Sequence, residues 1–509
     1  MKMKKLIALL LVISMVAVLF AACANNDSDG GTYTRPPSDK ETPDDQFVSA
    51  DYDKQDFTFL YIKHTDIGKD YYGGPYLDAD TYNGDKINDA VYERNMAVEE
   101  RYNVNITTRN EVNGDPGALL QQFYMAGDFN YDVIYGWGYK LGACITDNYF
   151  ANFYDLKNTD FTQDYWSPSA MDDLTIDGKL YLCTNDISMN KLQWAGFIFF
   201  NKKLMEDYNL EKEFGNLYDL VRDGKWTLDT FLAMVSSMGI DLDGNGTVGN
   251  NDVFGLIDGN AIGSGMSNAC GVFNTARNDD GTYSLTLWSD KVLNIIEKVN
   301  RVYSDTKYVK SYATIWDAGE VPDGMDQWEY ARSFFATDHA LFCGGSAYIT
   351  DEFRNMESPY GIVPNPKYDE NQQSYYSTVD CLSSIFAIPS TKRSDMSTAG
   401  LERTGTILEY MAYKSNEILL PSYYEEVLGN QRLTDDNDKE MMDLIRSTIR
   451  YEFSDMMNLE SISETKSTLY EKPGTAASTY TRSERRMLKE LNDFYIEFLQ
   501  MVAKNESAG

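Results

Sequence analysis

The clearest local pattern in the chain is an Asp/Asn/Gly-rich stretch between Asp241 and Asp252. Oxygen-bearing side chains stand at its first, third and fifth positions, a glycine at the sixth and a carboxylate at the twelfth, as in calcium-binding loops of the EF-hand type. The expected ligands are Asp241, Asp243, Asn245, Thr247 through its carbonyl, and Asp252. A turn without an ion is the alternative, because turns favour the same residues. We expect at most one structural Ca²⁺ and no other cofactor.

Aromatic rings and scattered carboxylates form a second group with recognisable chemistry. Sugar rings stack on flat aromatic side chains, and their hydroxyls need polar acceptors and donors. Trp137 stands between two glycines after an apolar run, so we expect it to be exposed at the end of a strand. The other candidate ligand-binding residues are Trp194, Asp186, Asp380 and Gly345, with Trp316 and Trp328 ranked below them. Core packing of the tryptophans and turn capping by the aspartates are the alternatives.

Several kinds of chemistry are disfavoured by what surrounds the reactive residues. His64 and His339 are the only histidines, and neither lies near a Gly-x-Ser-x-Gly nucleophile motif, so no catalytic residues are assigned. Gly344-Gly345-Ser346 lacks the lysine of a phosphate-binding loop. A formal net charge of −34 provides no basic surface for nucleic acid. Five cysteines beyond residue 23 show no metal-binding spacing, so we expect mostly buried thiols.

The apolar patterns predict an α/β scaffold for these residues. Strands and helices alternate in the first part of the body, which is typical of a doubly wound sheet with ligands at the carboxyl ends of its strands. The predicted order is strand Phe57–Ile62, helix Ile87–Tyr102, strand Asn105–Thr108, helix Gly117–Ala126 and strand Tyr131–Tyr135. Further on, we expect strands at Gly178–Leu182 and Phe197–Phe200, with a crossover between lobes at Thr184–Trp194, and mostly helix from Met441 to Val502.

The first 23 residues predict export. Three lysines precede an apolar run from Leu6 to Phe20, and Ala21-Ala22-Cys23 follows it. This end resembles the lipobox of bacterial lipoproteins, in which the cysteine thiol is lipidated and becomes the new N-terminus; Phe20 departs from the usual small aliphatic residue. A plain secretory signal is the alternative. We expect residues 1–22 to be a signal peptide, Cys23 the lipidation site, and the polar stretch 23–56 a flexible tether.

Ordered segments along residues 57–450 together resemble the extracellular solute-binding proteins of bacterial ABC importers, the family that includes the maltose-binding protein. The segments are Gly84–Asn95 with Glu99–Val104, Ala126–Asp128 with Tyr131–Val133, Asp177–Tyr181, Phe200–Leu204, Lys225–Phe231, Phe335–Phe342, Tyr360–Lys367 and Ile385–Pro389. Asp338-His339 departs from the family pattern, in which Gly-Lys or Gly-Glu is commoner.

The resemblance implies a type II periplasmic-binding-protein fold, an α/β architecture of two lobes with interlobe hinge crossings. We expect lobe 1 to comprise 57–184 plus 332–385 and lobe 2 to comprise 187–331 plus 390–509. It further implies a monomeric, non-enzymatic protein, lipid-anchored outside the cytoplasm, that captures a carbohydrate, expected to be an oligosaccharide, by lobe closure and delivers it to an ABC permease. A secreted glycoside hydrolase, a peptide-binding protein and a partner of a sensor kinase are the alternatives.

Overall fold

Two five-stranded sheets organise the computed structural model, which describes residues 46–63, 76–258, 262–391, 399–429 and 436–508. The expected signal peptide, Cys23 and nearly all of the expected tether lie outside these ranges. In chain order the strands are β1 (Gln55–Lys63), β2 (Val104–Val112), β3 (Val133–Trp137), β4 (Phe150–Ala151), β5 (Phe197–Asn201), β6 (Phe254–Asp258), β7 (Thr275–Arg277), β8 (Tyr283–Leu285), β9 (Val309–Ser311), β10 (Ala340–Gly345), β11 (Tyr360–Pro364), β12 (Ser377–Thr378), β13 (Ser384–Pro389) and β14 (Ile449–Arg450).

The first sheet has the order β2-β1-β3-β13-β4, and its first three strands are parallel. Strand β13 joins it antiparallel to β3. Phe57, Phe59 and Leu60 of β1 are fully buried, so side chains on both faces of the strand are covered. A continuous apolar run is the expected sequence for such a strand, because helices cover both faces of parallel sheets.

The second sheet has the order β11-β5-β10-β6-β9. Strands β10, β6 and β9 are parallel, whereas β5 runs antiparallel to both β10 and β11. The carboxyl ends of β6, β10 and β11 and the amino end of β5 therefore meet at one edge. This is the edge at which ligands are expected in an open α/β sheet.

Helices cover the sheets and dominate the C-terminal part of the chain. They are α1 (Lys86–Tyr102), α2 (Pro116–Ala126), α3 (Gly138–Gly142), α4 (Pro168–Leu174), α5 (Asn190–Gln193), α6 (Lys202–Asp207), α7 (Leu210–Phe214), α8 (Leu217–Arg222), α9 (Leu228–Ser237), α10 (Ile262–Ala269), α11 (Asp290–Tyr303), α12 (Tyr312–Ala318), α13 (Gln327–Ala336), α14 (Ala399–Lys414), α15 (Leu420–Gly429), α16 (Asp436–Ser447), α17 (Phe453–Met456), α18 (Glu460–Glu471) and α19 (Ala476–Ala508). A π-helical turn, Ser415–Leu419, separates α14 from α15. None of the described helices has the length and apolar character needed to cross a membrane.

The chain passes between the sheets where the sequence predicts the first crossing. Cys183 still pairs with Phe386 of the first sheet, and β5 at Phe197 already belongs to the second. The return differs from the expected lobe boundaries, because β10 and β11, within 332–385, are strands of the second sheet. Only β13 rejoins the first sheet. The apolar pattern of β10 and β11 predicts strands but holds no information on which sheet they join.

The C-terminal helices also depart from the expected assignment of 390–509 to lobe 2. Helix α14 packs against α1 beside the first sheet, whereas α16 packs against β11 of the second. In the latter contact the Ile362 amide of β11 donates to the Asp438 carboxylate at 3.0 Å. The C-terminal region is therefore shared between the two lobes.

The predicted strand Gly178–Leu182 is wrong. Ile176 and Lys179 form an isolated bridge with N–H···O distances of 2.9 Å in both directions. Asp177 and Gly178 between them have positive φ angles of 47° and 71°. Two such residues form the tight turn of a hairpin, so the Asp-Gly pair reverses the chain where we expected it to extend.

Candidate functional site

A cavity of about 240 Å³ lies at the ligand-binding edge of the second sheet. Both interlobe crossings and two C-terminal helices contribute to its wall. It is lined by Trp194, Gly196, Phe197, Gly265, Asn268, Gly345, Ser346, Asn365, Thr378, Val379, Asp380, Cys381, Asp455 and Lys466. Three of the five residues that the sequence predicts for ligand binding, Trp194, Asp380 and Gly345, are among them.

Backbone pairing between the two crossings forms the floor of the cavity. The Gly196 amide donates to the Thr378 carbonyl at 3.0 Å, and the Asp380 amide donates to the Trp194 carbonyl at 3.2 Å. Asn365, which follows β11, donates from Nδ2 to the Gly196 carbonyl at 3.1 Å. The segments that connect the lobes are therefore held together at the site itself.

Gly345 ends β10 at this edge, directly opposite Phe197 of β5. A Cβ atom at Gly345 would stand 2.4 Å from Cδ1 of Ile349 and 3.3 Å from the Phe199 ring. The absence of a side chain therefore allows the chain after β10 to fold closely over the strand end. The structure explains this glycine by packing next to the cavity.

The aromatic part of the wall is Trp194, whose ring stacks on Tyr348, a residue that is not itself among those lining the cavity. The Trp194 and Tyr348 rings are 4.7 Å apart between centroids, with 16° between their planes. Trp194 is 7% exposed and Tyr348 is half-buried. Such a pair is held rigidly and can present a flat apolar surface to a ligand ring.

Asp380 provides a carboxylate on the second crossing. Its Oδ1 accepts a hydrogen bond from the Leu382 amide at 2.9 Å. Burial raises the pKa of Asp380; the Leu382 amide opposes this, and the negative charge of Asp455 adds to it. The net result is a pKa above the ordinary value, which indicates a carboxylate that lacks a compensating positive charge.

Asp455 lies in the short helix α17, which is pressed against the first lobe. A Cβ at Gly142 of α3 would stand 1.7 Å from the Met456 carbonyl oxygen. Only glycine permits this approach of the two helices. Oδ1 of Asp455 also accepts a hydrogen bond from the Ser463 hydroxyl. Helix packing and this bond together fix the position of the carboxylate.

Lys466 of α18 is the one cation on the cavity wall among the described residues. It is buried, and its Nζ donates to Oδ1 of the buried Asn268 at 3.0 Å. Behind it, Glu452 is also buried and accepts a hydrogen bond from the Asn274 amide at 2.9 Å. Burial raises the pKa of Glu452, the positive charge of Lys466 opposes this, and Asp455 adds to it. The charge of Lys466 is therefore directed in part at Glu452.

Asp186 occupies a different position from the one we expected. It is 0% exposed and is not among the cavity-lining residues of the described chain. Its Oδ1 lies 2.6 Å from Nζ of Lys191, and its Oδ2 lies 2.8 Å from a guanidinium nitrogen of Arg446 and 2.5 Å from Nδ2 of Asn416. Burial raises its pKa, but the two cations outweigh burial and the net pKa is lowered. Asp186 is thus a structural residue that joins the first crossing to the C-terminal helices.

The expected exposure of Trp137 is also wrong. The side chain is 7% exposed, and its ring stacks on Tyr139 with a centroid distance of 5.9 Å. The residue pairs with Ser384 inside the first sheet, because β3 continues two residues beyond the predicted strand. Of the lower-ranked candidates, Trp316 is 64% exposed, and Trp328 packs on Tyr312 at 3.8 Å. None of the three is among the residues that line the cavity.

The Asp241–Asp252 loop precedes β6 on the second lobe. Its ends are joined by a bridge between Ile240 and Val253. Ligand oxygens of Asp241, Asp243 and Asp252 lie within 4.8 Å of one another. Asp252 is fully buried and accepts hydrogen bonds from the Leu242 amide at 2.8 Å and the Gly249 amide at 2.7 Å. The twelfth position is thus directed inward, as a calcium-binding loop requires.

Exposed parts of the same loop are organised by local turns. Asn245 and Thr247, the remaining predicted ligands, are exposed, and Oδ1 of Asn245 accepts from the Thr247 amide at 2.9 Å. Asp241 accepts from the Gly244 and Gly246 amides, each at 2.7 Å. These contacts fit both of the predicted alternatives, a calcium loop and an ion-free turn.

All five described cysteines are free thiols; Cys144, Cys183, Cys270 and Cys343 are buried, and Cys381 is half-buried in the cavity wall. Burial raises the pKa of Cys144 to about 12, so this thiol is unreactive at neutral pH. These observations agree with the expected packing role of the cysteines. His64 lies outside the described residues, and His339 sits at the turn before β10, where its ring faces Phe334 at 6.5 Å.

Several cavity residues were missed from the sequence. Asn365 follows β11 between two prolines, and Tyr348, which stacks on Trp194 without lining the cavity, stands in a 3-10 turn after β10, so the rule that ligands bind at the carboxyl ends of strands could have indicated both. Asn268, Asp455 and Lys466 lie in helices whose sequences show ordinary amphipathic patterns. No local signal distinguishes these three from other polar helix residues.

The sequence matches no protein-family model, and a search of curated proteins found no relative. Solved structures do show the same architecture. A cyclo/maltodextrin-binding protein complexed with maltotetraose superposes with a TM-score of 0.53 at 13% identity, covering 85% of this chain and 97% of the other. The maltose-binding periplasmic protein of Listeria monocytogenes, in complex with maltose, gives a TM-score of 0.50 at 14% identity, covering 87% and 98%.

The chain has the two-lobe periplasmic-binding-protein fold. The comparison confirms the predicted fold class and the likeness to the maltose-binding protein over most of the chain. In this fold two α/β lobes are joined by crossing segments, and the cavity at the crossings lies where closure of the lobes would act on a bound molecule. At 13–14% identity the comparison establishes the architecture and does not identify the ligand.

Proposed function

We propose that the protein is a lipid-anchored, extracytoplasmic solute-binding protein that captures a carbohydrate and delivers it to an ABC permease. The single observation that supports this best is the cavity at the interlobe crossings, whose wall combines the Trp194 ring, stacked on Tyr348, with amide and carboxylate groups. A flat aromatic surface with a few convergent polar groups suits a sugar ring and its hydroxyls. Proteins of the same fold bind maltose and maltotetraose.

The volume of the cavity limits the size of the ligand that it can hold. At about 240 Å³ the cavity lies just below the range of about 300–1,000 Å³ that is usual for small-molecule sites. We propose that it holds one or two sugar rings, and that any longer oligosaccharide extends out of it. The protein needs no catalytic step in this role, because binding energy gained from both lobes is sufficient to favour the closed state.

The decisive experiment is calorimetric titration of the full-length protein, kept in a detergent without a sugar headgroup, with mono- and disaccharides. We expect a saturable binding isotherm and recovery of the sugar intact. Trp194→Ala should weaken binding by about 2 kcal/mol or more, roughly 30-fold, as for a buried aromatic anchor. Trp316→Ala is the matched control, since Trp316 is 64% exposed and does not line the cavity.

Two results would contradict the proposal. Recovery of cleaved sugar would identify a glycoside hydrolase, and the absence of binding by every carbohydrate tested would exclude a carbohydrate-binding role. Equal loss of affinity in Trp194→Ala and Trp316→Ala would place the binding site away from the cavity.

The anchor is tested separately through Cys23. Its sequence context supports lipidation, and Cys23→Ser should abolish both the mass increase of the mature N-terminus and partition into the detergent phase. Cys381→Ser, which alters a half-buried thiol in the body, should leave both unchanged. Detergent partition that survives Cys23→Ser would contradict the lipid anchor.

We further propose that the Asp241–Asp252 loop holds one structural Ca²⁺. The grouping of three carboxylates within 4.8 Å and the inward-directed Asp252 support it. Asp241, Asp243, Asn245 and Asp252 would supply side-chain oxygens, and Thr247 its carbonyl. The ion would stabilise a surface loop of the second lobe and take no part in ligand binding.

A further inference from the structure

The charges on the cavity wall do not balance. Asp380 and Asp455 contribute two carboxylates, and Lys466 contributes one ammonium group. Glu452, buried behind the wall, adds no positive charge in either protonation state. The cavity therefore has an excess of negative charge whether Glu452 is ionised or neutral.

The single lysine does not neutralise either aspartate directly. Within the described ranges no lysine or arginine forms an ion pair with Asp380 or Asp455. The Nζ of Lys466 donates to Asn268, and its positive charge acts on Glu452. The strongest charge acting on Asp380 is the like charge of Asp455. Two ionised carboxylates held near each other in a partly dehydrated cavity are unfavourable unless a cation joins them or one of them binds a proton.

Aromatic surface lies in the same wall. The Trp194 ring, which lines the cavity and stacks on Tyr348, offers a π system to which a cation is also attracted, with an energy of about 0.5–2 kcal/mol depending on solvent exposure. A positively charged ligand would gain from both features at once. A neutral ligand would leave the repulsion between the two carboxylates in place.

We propose that the ligand is an amino sugar, whose protonated amine is held by Asp380 and Asp455 while its ring packs on Trp194. This inference rests on the proposed carbohydrate-binding function and narrows it to a cationic class of sugar. The ammonium forms charge-assisted hydrogen bonds with the carboxylates, which are about twice as strong as hydrogen bonds between neutral groups. The remaining side-chain atoms of the two asparagines in the wall, Oδ1 of Asn365 and Nδ2 of Asn268, are proposed to bond ring hydroxyls.

The test compares three disaccharides of the same shape by calorimetry on the full-length protein in a sugar-free detergent. Glucosamine disaccharide has the charged amines, its N-acetylated form has neutral amides, and cellobiose has hydroxyls in their place. We expect the amine form to bind about 10- to 100-fold more tightly than either neutral form, the range typical of a hydrogen bond to a charged group.

Two variants test whether Asp380 and Asp455 cause the preference for the amine form. Asp380→Asn and Asp455→Asn should each reduce the advantage of the amine form by about 10-fold and change the affinity for cellobiose much less, because an amide retains an acceptor oxygen without the charge. Asp279→Asn removes an exposed charge in the β7–β8 hairpin, outside the residues that line the cavity, and should leave the advantage unchanged. A circular dichroism spectrum equal to that of the unaltered protein checks that each variant is folded.

The outcomes distinguish a failure of the amino-sugar inference from a failure of the proposed carbohydrate-binding function. Equal or weaker binding of the amine form than of cellobiose overturns the inference while leaving a carbohydrate-binding protein. Preference for a uronic-acid disaccharide overturns it in favour of recognition by Lys466. Spermidine binding as tightly as the amino sugar, with no affinity for cellobiose, overturns both the amino-sugar inference and the carbohydrate function.

Discussion

Asp186 and Asp380 are the same residue type at equivalent places, each on one of the two segments that cross between the lobes, yet their surroundings are opposite. Asp186 is completely buried between Lys191 and Arg446, and its pKa is lowered. Asp380 is half-buried on the cavity wall, has a like charge nearby, and its pKa is raised. The first carboxylate is neutralised by cations of the protein, whereas the second lines the proposed binding cavity and has no ion-pair partner in the described chain. Charge compensation, more than position along the chain, distinguishes the two aspartates.

The largest effect expected from this comparison is on stability. Asp186→Ala leaves the buried Lys191 and the half-buried Arg446 without their counter-charge, so we expect the free energy of unfolding to fall by about 3–5 kcal/mol. Asp380→Ala should change it by less than about 1 kcal/mol, because that substitution removes a charge that nothing balances. Urea denaturation of both variants, followed by circular dichroism, measures the difference. Similar losses in the two variants would show that Asp380 is structural too.

A third group of carboxylates, in the Asp241–Asp252 loop, extends the comparison to a metal ion. If Ca²⁺ supplies the missing positive charge there, free Ca²⁺ at ten times its dissociation constant should raise the free energy of unfolding by about 1.4 kcal/mol. Chemical denaturation with and without Ca²⁺ measures the rise. Asp241→Asn should abolish it, whereas Asp380→Asn should leave it intact. Equal stability with Ca²⁺ and with a chelator would favour the ion-free turn.

The smallest expected effect is on the pH dependence of the free energy of unfolding. The contributions of Asp186 and Asp380 to it have opposite signs. Because the pKa of Asp186 is lowered in the folded protein, its contribution is present above the ordinary value of 3.8 and is lost as the pH falls through the folded value. The pKa of Asp380 is raised, so the folded state binds the extra proton and stability falls as the pH rises above 3.8.

Variants in which the carboxyl group is replaced by a neutral amide test these two pH dependences. Asp380→Asn should flatten the fall of stability above pH 3.8, which denaturation curves collected across the acid range would reveal. If the free energy of unfolding of Asp380→Asn depends on pH as in the unaltered protein, the Asp380 carboxylate does not lack a compensating positive charge. That result would weaken the contrast with Asp186. Glu452→Gln is the useful companion, because burial also raises the pKa of Glu452 above its ordinary 4.5.

Much of the fold follows from local pattern. The predicted strand Phe57–Ile62 and helix Ile87–Tyr102 agree with β1 (Gln55–Lys63) and α1 (Lys86–Tyr102) to within two residues at each end. Apolar periodicity and capping residues act over one turn or one strand, so a single sequence contains them. Asp85, which caps α1 by accepting from the Asn88 amide at 2.8 Å, is an example.

The candidate site was predictable only in part. Trp194, Gly345 and Asp380 follow from the rule that ligands gather near crossings and strand ends. Trp137 satisfies the same rule but is buried, because β3 continues through it and pairs with β13. Whether a side chain at a strand end is covered depends on the length of the partner strand, which the residues around Trp137 do not contain.

The sequence by itself determined the order of the first five helices and strands, the export signal pattern, the acidic loop before β6 and the excess of negative charge. Tertiary structure alone decided that β10 and β11 join the second sheet, and that Asp186 meets Arg446, 260 residues away, while Asp380 meets no such partner in the described chain. The physical reason is the separation along the chain over which each kind of interaction acts. Backbone conformation and periodicity are local, whereas burial and charge compensation depend on groups brought together only when the lobes are assembled.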